Sequence, residues 1–238
     1  MAKTTYNYKR YKMSEYELGV FPGARAGEIA ENFTVRDQDG NDVSLEEYRG
    51  KWLVLETGSI TCSMYVKNIG GIKKLQAKYP DVEFLVIYVR EAHPGARIGP
   101  HETDEQKLEM ADRLREFYGE PRKILVDNVD GDMHKAYGEL PNMVYVINPD
   151  GKVIYRCNWA FPKNIDKVLA NRDQLHTKEY MAIITAAPWV MIPVVLRGGW
   201  DALWDLMVAL PMITIAHLKA DFQNLKKKLS GGDTKAVE

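Results

Sequence analysis

The stretch WLVLETGSITCSMYVKNIGGIKKLQAKYPDVEFLVIYV, residues 52–89, decides the architecture. Trp52 to Thr57 is a short apolar run giving way to Gly58-Ser59, the pattern of a buried strand that ends in a loop. Val66, Ile69, Ile72, Leu75 and Tyr79 then recur at three-to-four spacing. That spacing predicts one helical face over Met64 to Tyr79, weakened in its middle by Gly70-Gly71 and ended by Pro80-Asp81. Glu83 to Val89 is a second, nearly continuous apolar strand. Strand, helix, strand predicts a right-handed βαβ unit with parallel strands, whose carboxyl-end loops share one rim. Cys62 follows the first strand and His93 the second, so both belong to that rim.

Working outward, FTVRDQDGNDVSL (33–45) reads as a hairpin around Asp39-Gly40-Asn41, and Glu46 to Gly50 as a short helical turn. Downstream, a Gly- and Pro-rich loop, REAHPGARIGPHETD (90–104), brings Thr103 up as the N-cap of a helix over Asp104 to Tyr118. Lys123 to Val126 predicts a strand, Gly131 to Gly138 a short helix and Met143 to Ile147 a strand. Asn148 to Gly151 is a turn by composition, Lys152 to Cys157 the returning strand, and Pro162 to Leu175 a last helix. This order predicts an α/β, thioredoxin-like fold with an N-terminal β-hairpin and a C-terminal helical appendage. The expected divisions are an arm over 1–27, the thioredoxin-like domain over 28–176 and the appendage over 177–238.

The 238 residues carry 32 Lys plus Arg against 33 Asp plus Glu, a net charge of -1, which argues against gripping nucleic acid through its phosphates. Two cysteines 95 positions apart, Cys62 and Cys157, can build neither a disulfide-rich scaffold nor a four-thiolate metal site. No metal and no bound cofactor are expected. Residues 1–20 lack the apolar run and small-residue cleavage site of a secretory signal, so a reducing, cytoplasmic setting is the expectation. Tyr6, Tyr8, Tyr11 and Tyr16 stand among basic residues; with no basic excess behind them, they read as an arm packing on its own domain or a partner rather than a stacking arm for nucleic acid.

Chemistry concentrates at Gly58-Ser-Ile-Thr-Cys62-Ser63. A thiol at a helix N-terminus faces unpaired N–H groups and the positive end of the dipole, which favours the reactive thiolate. Ser59 and Thr61 place hydroxyl donors within local reach of the sulfur. The alternative is a buried structural thiol. Tyr65 occupies the third position after Cys62, so the dithiol Cys-x-x-Cys pair is absent. Leu140-Pro141, before the strand MVYVI, fills the slot where thioredoxin-type folds hold a cis-proline facing the active cysteine; a trans proline starting an edge strand is the alternative. Cys157 ends a strand two spacings, ~10 Å, from Cys62. That is too far for a bond without loop movement, so a resolving role competes with that of an inert edge thiol. Arg90, Arg122 and Arg156 are candidate thiolate partners, whereas His101, His134, His176 and His217 lack a comparable context.

From about Trp52 to Trp159 the chain resembles the catalytic core of the iodothyronine deiodinases and their bacterial relatives, within the peroxiredoxin and thioredoxin-like superfamily. The resemblance rests on GSITC (58–62), FLVIYVREAHP (84–94), YGELPNMVYVI (137–147) and KVIYR (152–156). It implies that Cys62 stands where those enzymes carry selenocysteine, that Glu91 and His93 match the second acidic residue and the histidine of their strand-loop motif, and that Pro141 matches their proline. The chain departs from the pattern where Ile60 replaces an extra cysteine, Ser63 a proline and Arg90 the first acidic residue. The implied chemistry is a thiolate attacking a soft electrophile, with His93 and Glu91 handling protons and an external thiol reductant as co-substrate. Because the deiodinase-specific neighbours are altered, the favoured reading is a thiol-dependent oxidoreductase carrying out peroxide reduction or general thiol redox chemistry; the alternative small-molecule electrophile is a halogenated aromatic, reductively dehalogenated. A non-catalytic interaction protein on the same fold is the rival from another class.

After Glu179 the composition shifts. YMAIITAAPWVMIPVVL (180–196) has no charge, but it is short and interrupted by Pro188 and Pro193 for a membrane span. Trp200, Leu203, Trp204, Met207 and Leu210 form one apolar helical stripe, and Leu218, Phe222, Leu225 and Leu229 another, near Lys226-Lys-Lys228. The favoured expectation is a helical appendage docking on its own domain or making a homodimer. Contact with a membrane surface ranks second and a lid over an apolar pocket third.

Overall fold

The computed structural model describes residues 6–12, 21–178 and 186–229, with side chains as far as residue 215. Seven strands make one sheet: β1 (Thr34–Asp37), β2 (Asp42–Ser44), β3 (Trp52–Gly58), β4 (Val82–Tyr88), β5 (Lys123–Val126), β6 (Val144–Ile147) and β7 (Val153–Cys157). Their order across the sheet is β2-β1-β5-β4-β3-β6-β7. β3, β4 and β5 are parallel neighbours, whereas β6 runs antiparallel to β3 and β7 antiparallel to β6. The register pairs Gly58 with Tyr88, Glu56 with Val144 and Val144 with Cys157. The ends of β3, β4, β5 and β7 and the start of β6 therefore meet at one rim.

The alternation of side chains assigns the helices to faces. Leu53, Leu55, Leu85, Ile87, Leu125, Tyr145 and Ile147 turn to one side, under Met133 and Tyr137 of α3 (Asp132–Tyr137). Val54, Phe84, Val86, Tyr88, Ile124, Val144 and Val146 turn to the other. There they meet α1 (Ser63–Lys78), α2 (Asp104–Tyr118) and α4 (Pro162–Ala170). The glycine pair inside α1 has a packing reason: a Cβ at Gly71 would lie 2.5 Å from Pro162 Cγ, so the missing side chain lets α4 close onto α1. Thr103 caps α2 by accepting the Gln106 N–H, and Gly119 ends it in the left-handed region at φ 61°. The last domain helix stops at Ala170, short of the expected Leu175, because Asn171 leaves helical geometry and its amide donates back to Lys167 O. β6 begins at Val144 and not Met143, whose backbone is bonded to Thr57 instead.

The appendage consists of α5 (Pro188–Val195), which packs on α1, and α6 (Trp200–Leu229). The two share a small core of Val195, Ala202 and Leu206. Residues 6–12 run across the rim: Tyr6 and Tyr8 are buried, and Arg10 donates to Asp205 of α6 at 2.5 Å. Tyr16, residues 181–185 and the side chains of Leu218, Phe222, Leu225 and Leu229 lie outside the described residues.

Candidate active site

β3 delivers Gly58-Ser-Ile-Thr to the rim, and Cys62 is the N-cap residue of α1. The amides of Met64 and Tyr65 lie toward the sulfur and pull its pKa down, without closing a side-chain cap. Burial outweighs them. Cys62 is 3% exposed, and desolvation, reinforced by the carboxylates Glu56 and Glu91, pushes the thiol up to about 12. The expectation of a thiolate favoured by the helix start is therefore corrected for this conformation: the sulfur is protonated because its surroundings are too dry to hold a charge. Alkylation of Cys62 in the folded protein should then rise about tenfold per pH unit between pH ~7 and ~10. An iodoacetamide rate profile that levels off near pH ~9, where an ordinary thiol is ionised, would refute this.

Ser59 and Thr61 are both buried, and both hydroxyl oxygens are bonded to the loop after β4. Ser59 Oγ accepts the Ala92 N–H at 3.2 Å. Thr61 Oγ1 donates to Glu91 Oε2 at 2.5 Å and accepts the His93 N–H at 2.9 Å. The two residues stitch the loop before Cys62 to the loop after β4, and the Thr61 hydroxyl proton goes to Glu91 and not to the sulfur. Glu91 is the hub of that stitching. Besides Thr61 Oγ1, it accepts the Thr61 N–H at 2.8 Å, the Ile60 N–H at 3.3 Å and the Tyr88 hydroxyl. Burial raises its pKa and these donors oppose the rise. His101, which had no role in the sequence reading, brings Nε2 to 3.8 Å from Glu91 Oε1, and burial pushes its pKa down to about 3.

His93 packs at a tilt on Tyr11, with ring centroids 4.5 Å apart, and its buried Nδ1 has no partner among the described residues. Burial lowers it to about 4 against the pull of Asp205, so it is neutral near pH 7 and not a histidine poised there. Pro141 stands in the turn before β6, and the Leu140–Pro141 peptide is trans, which corrects the expected cis-proline. Asn142 Nδ2 instead ties that turn to β3, donating to Glu56 Oε1 at 2.8 Å and to Thr57 O at 3.0 Å. Cys157 is buried in a different apolar cluster from Cys62, among Val54, Ile72, Val144 and Ile165, and both thiols are free. Its register opposite Val144 sets it level with Glu56, six positions before Cys62. Burial also raises its pKa.

None of the three candidate arginines turns to the sulfur. Arg90 pairs with Glu139 at 2.8 Å and lies over the Tyr6 and Tyr8 rings. Arg156 donates to Pro22 O and Gly23 O. Arg122 pairs with Glu56 and Glu120 beneath the Cys62 loop, and Tyr65 donates to Glu120 at 2.5 Å. A glutamate inside the apolar run LVLET demanded a buried cation, and that was the available signal for this network.

A second set of residues, contributed in part by the appendage and unforeseen in detail, closes the site. Cys62 belongs to an apolar cluster with Ile60, Met64, Tyr65, Trp159 and Ala186, against which Tyr118, Phe161, Val190 and Met191 pack. Tyr118 donates to Ile60 O at 2.8 Å, and Arg197 lies over the rings of Phe117 and Tyr118. The turn between α5 and α6 is bonded to the loop after β4: Arg97 N donates to Gly198 O at 2.8 Å and Ala96 N to Asp201 at 3.1 Å. A Cβ at Gly198 would collide with His93 O, so glycine allows that close seating. Among the described residues, no group of histidine, cysteine and carboxylate side chains is arranged to hold a metal ion.

This architecture is shared with known proteins. A candidate protein disulfide isomerase from Bacteroides thetaiotaomicron superposes with a TM-score of 0.50 and 20% identity, covering 66% of this chain and 93% of that one, which shows the thioredoxin-like fold. The thyroxine 5-deiodinase of Ovis aries is 32% identical over 154 residues, 59% of this chain and 52% of the relative. A candidate chloroplastic glutathione peroxidase of Arabidopsis thaliana is 31% identical over 81 residues, 34% of this chain and 35% of that one. The chain thus spans about half the length of the deiodinase it matches. The profile of the iodothyronine deiodinase family matches residues 3–168, a span that takes in β1 to β7, the Cys62 loop, Glu91, His93 and Pro141, and the chain belongs to that family.

Proposed function

We propose that this protein is a thiol-dependent oxidoreductase in which Cys62 is the nucleophile. The observation that carries the reading is the placement of Cys62 at the start of α1 on a rim where Thr61, Glu91 and His93 are joined by hydrogen bonds. With a peroxide, the Cys62 thiolate attacks one oxygen, the O–O bond breaks to release an alcohol or water, and a sulfenic acid forms. An external thiol displaces water from the sulfenic acid to give a mixed disulfide. A second thiol then releases the Cys62 thiol and an external disulfide. Cys157, in its separate cluster, stays out of this cycle, so the reductant is intermolecular.

The aromatic side chains of Tyr118, Trp159 and Phe161 packed into the Cys62 cluster, together with membership of the deiodinase family, favour a second substrate class, halogenated aromatics. There the thiolate takes the halogen as a sulfenyl halide while the ring carbon gains a proton. Two external thiols then reduce the sulfenyl halide to thiol and halide ion. In either case the cover formed by α5 and its neighbours must move first, since the sulfur is buried.

Peroxide treatment in the presence of dimedone is expected to add the trap to Cys62 in the wild type, read by mass spectrometry, and to leave the Cys62→Ser protein unlabelled at that position. Incubation with an iodinated phenol and a thiol should release iodide if the second substrate class holds. A wild-type Cys62 unmodified by peroxide, with no iodide released, would sink the enzymatic reading and favour an interaction protein. A Cys62–Cys157 bond would establish an internal resolving step instead.

A further inference from the structure

We propose that the outer face of α5 and α6 is a docking surface for an anionic lipid bilayer. Trp189, Trp200 and Trp204 are 79%, 71% and 68% exposed, and Met207, Val208, Met212 and Ile215 are each at least half exposed. Positions 200, 204, 207, 208, 211 and 215 fall on one stripe of a 3.6-residue helix, so these side chains form a continuous face. The opposite face, Ala202, Leu206 and Ala209, is already buried. A helix apolar on both faces belongs in an apolar environment on both, and here the protein supplies one. Patches of this size on a water-exposed surface mark a binding face.

The polar groups of the element identify the partner. Asp201 and Asp205, the acidic residues in the first turns of α6, are engaged by Ala96 N and Arg10. From Leu206 to Ile215 there is no charge, and the Thr214 hydroxyl donates to Leu210 O of its own helix. Among the described residues, the outward face therefore offers a protein partner no charge and no free polar group besides the tryptophan indole N–H donors, whereas protein interfaces carry about one hydrogen bond per 100–200 Å² and a polar rim. Hydrocarbon requires neither. Tryptophan is the side chain that settles at the boundary of a bilayer.

Charge supplies complementarity to an anionic headgroup layer. Beyond Ile215 the sequence of the same helix continues AHLKADFQNLKKKL to Leu229, four lysines against one aspartate, in a chain whose net charge is -1. Among the described residues, no helix is long and apolar enough to cross a membrane, so α6 lies on the surface. The inference is independent of the chemistry assigned to Cys62.

The test is flotation of the full chain with vesicles of phosphatidylcholine containing phosphatidylglycerol, beside vesicles of phosphatidylcholine alone. The wild type is expected to float with the anionic vesicles, with its tryptophan emission shifted to the blue and its bound fraction falling as salt is raised. Replacing both Trp200 and Trp204 by serine should lower partitioning about tenfold or more, one decade being a small part of what two buried indoles contribute. These positions are exposed, so the fold should survive; Val208→Ser with Met212→Ser serves as a second variant. A wild type that stays behind, or variants that float equally well, would overturn the proposal. So would a lipid-free dimer, seen by analytical ultracentrifugation, that the tryptophan substitutions split into monomers, because the face would then belong to a second copy.

Discussion

Replacing Cys62 by serine is expected to lower turnover of a peroxide or an iodinated phenol by on the order of 10³-fold or more, measured with an excess of external thiol. The substitution changes one atom and barely alters volume, so the loss reports chemistry and not packing. A serine hydroxyl ionises far above any working pH, and its oxygen is a poor nucleophile towards a soft oxygen or halogen. The thyroxine 5-deiodinase and the Arabidopsis protein match the chain only in part, so this variant is the direct check on the assigned nucleophile. Cys157→Ala in the same assay should retain most of the turnover, because Cys157 is buried in another cluster and the reductant is external. Equal loss in both variants would point to a Cys62–Cys157 couple. Retained turnover in Cys62→Ser would remove Cys62 from the mechanism.

The second large effect concerns stability. Arg122→Met is expected to destabilise the fold by about 3–5 kcal/mol, because it strips the cation from a buried cluster that holds Glu56 and Glu120. At the size of this domain that corresponds to a fall in Tm of roughly 6–20 °C in a thermal melt. Burial raises the Glu56 pKa and Arg122 opposes the rise, so without the guanidinium Glu56 must take up a proton or stay charged in a dry site. Adding Glu56→Gln to Arg122→Met should recover part of the loss, since one of the two carboxylates left without the cation is then neutral. A single variant that melts within about 1 kcal/mol of the wild type would show that solvent reaches the cluster.

Most of the sheet is legible in the sequence because its inner strands are apolar runs bounded by punctuation. WLVLETG and EFLVIYV are examples, and their order in the chain predicts the parallel pair that the register shows. The hairpin at Asp39-Gly40-Asn41 and the helix beginning after Thr103 are legible for similarly local reasons. What escapes is whatever depends on partners distant in sequence. Burial of Cys62 is set by Trp159, Val190 and Met191, so reading a helix N-terminus alone gives the wrong direction for its pKa. Thr61 looks like a donor to the neighbouring sulfur until the loop after β4 arrives and Glu91 takes its hydroxyl proton. Pro141 sits where the fold family suggests, but its peptide is trans, and nothing local in Leu140-Pro141 distinguishes the two isomers. The pairing of Arg122 with Glu56 spans 66 positions and has no local signature.

The seating of the α5–α6 turn on the loop after β4 has a kinetic meaning. While that turn is closed, Cys62 is out of reach, so the observed rate constant with dilute electrophile is the intrinsic one multiplied by the small fraction of time the cover stands open. At high electrophile the rate stops rising and equals the rate of opening. Different electrophiles share that ceiling, whatever their reactivity towards a free thiolate. Under the proposed chemistry the protein is a shuttered detector, and the contacts of Gly198, Asp201 and Arg197 seat its shutter without taking part in bond making.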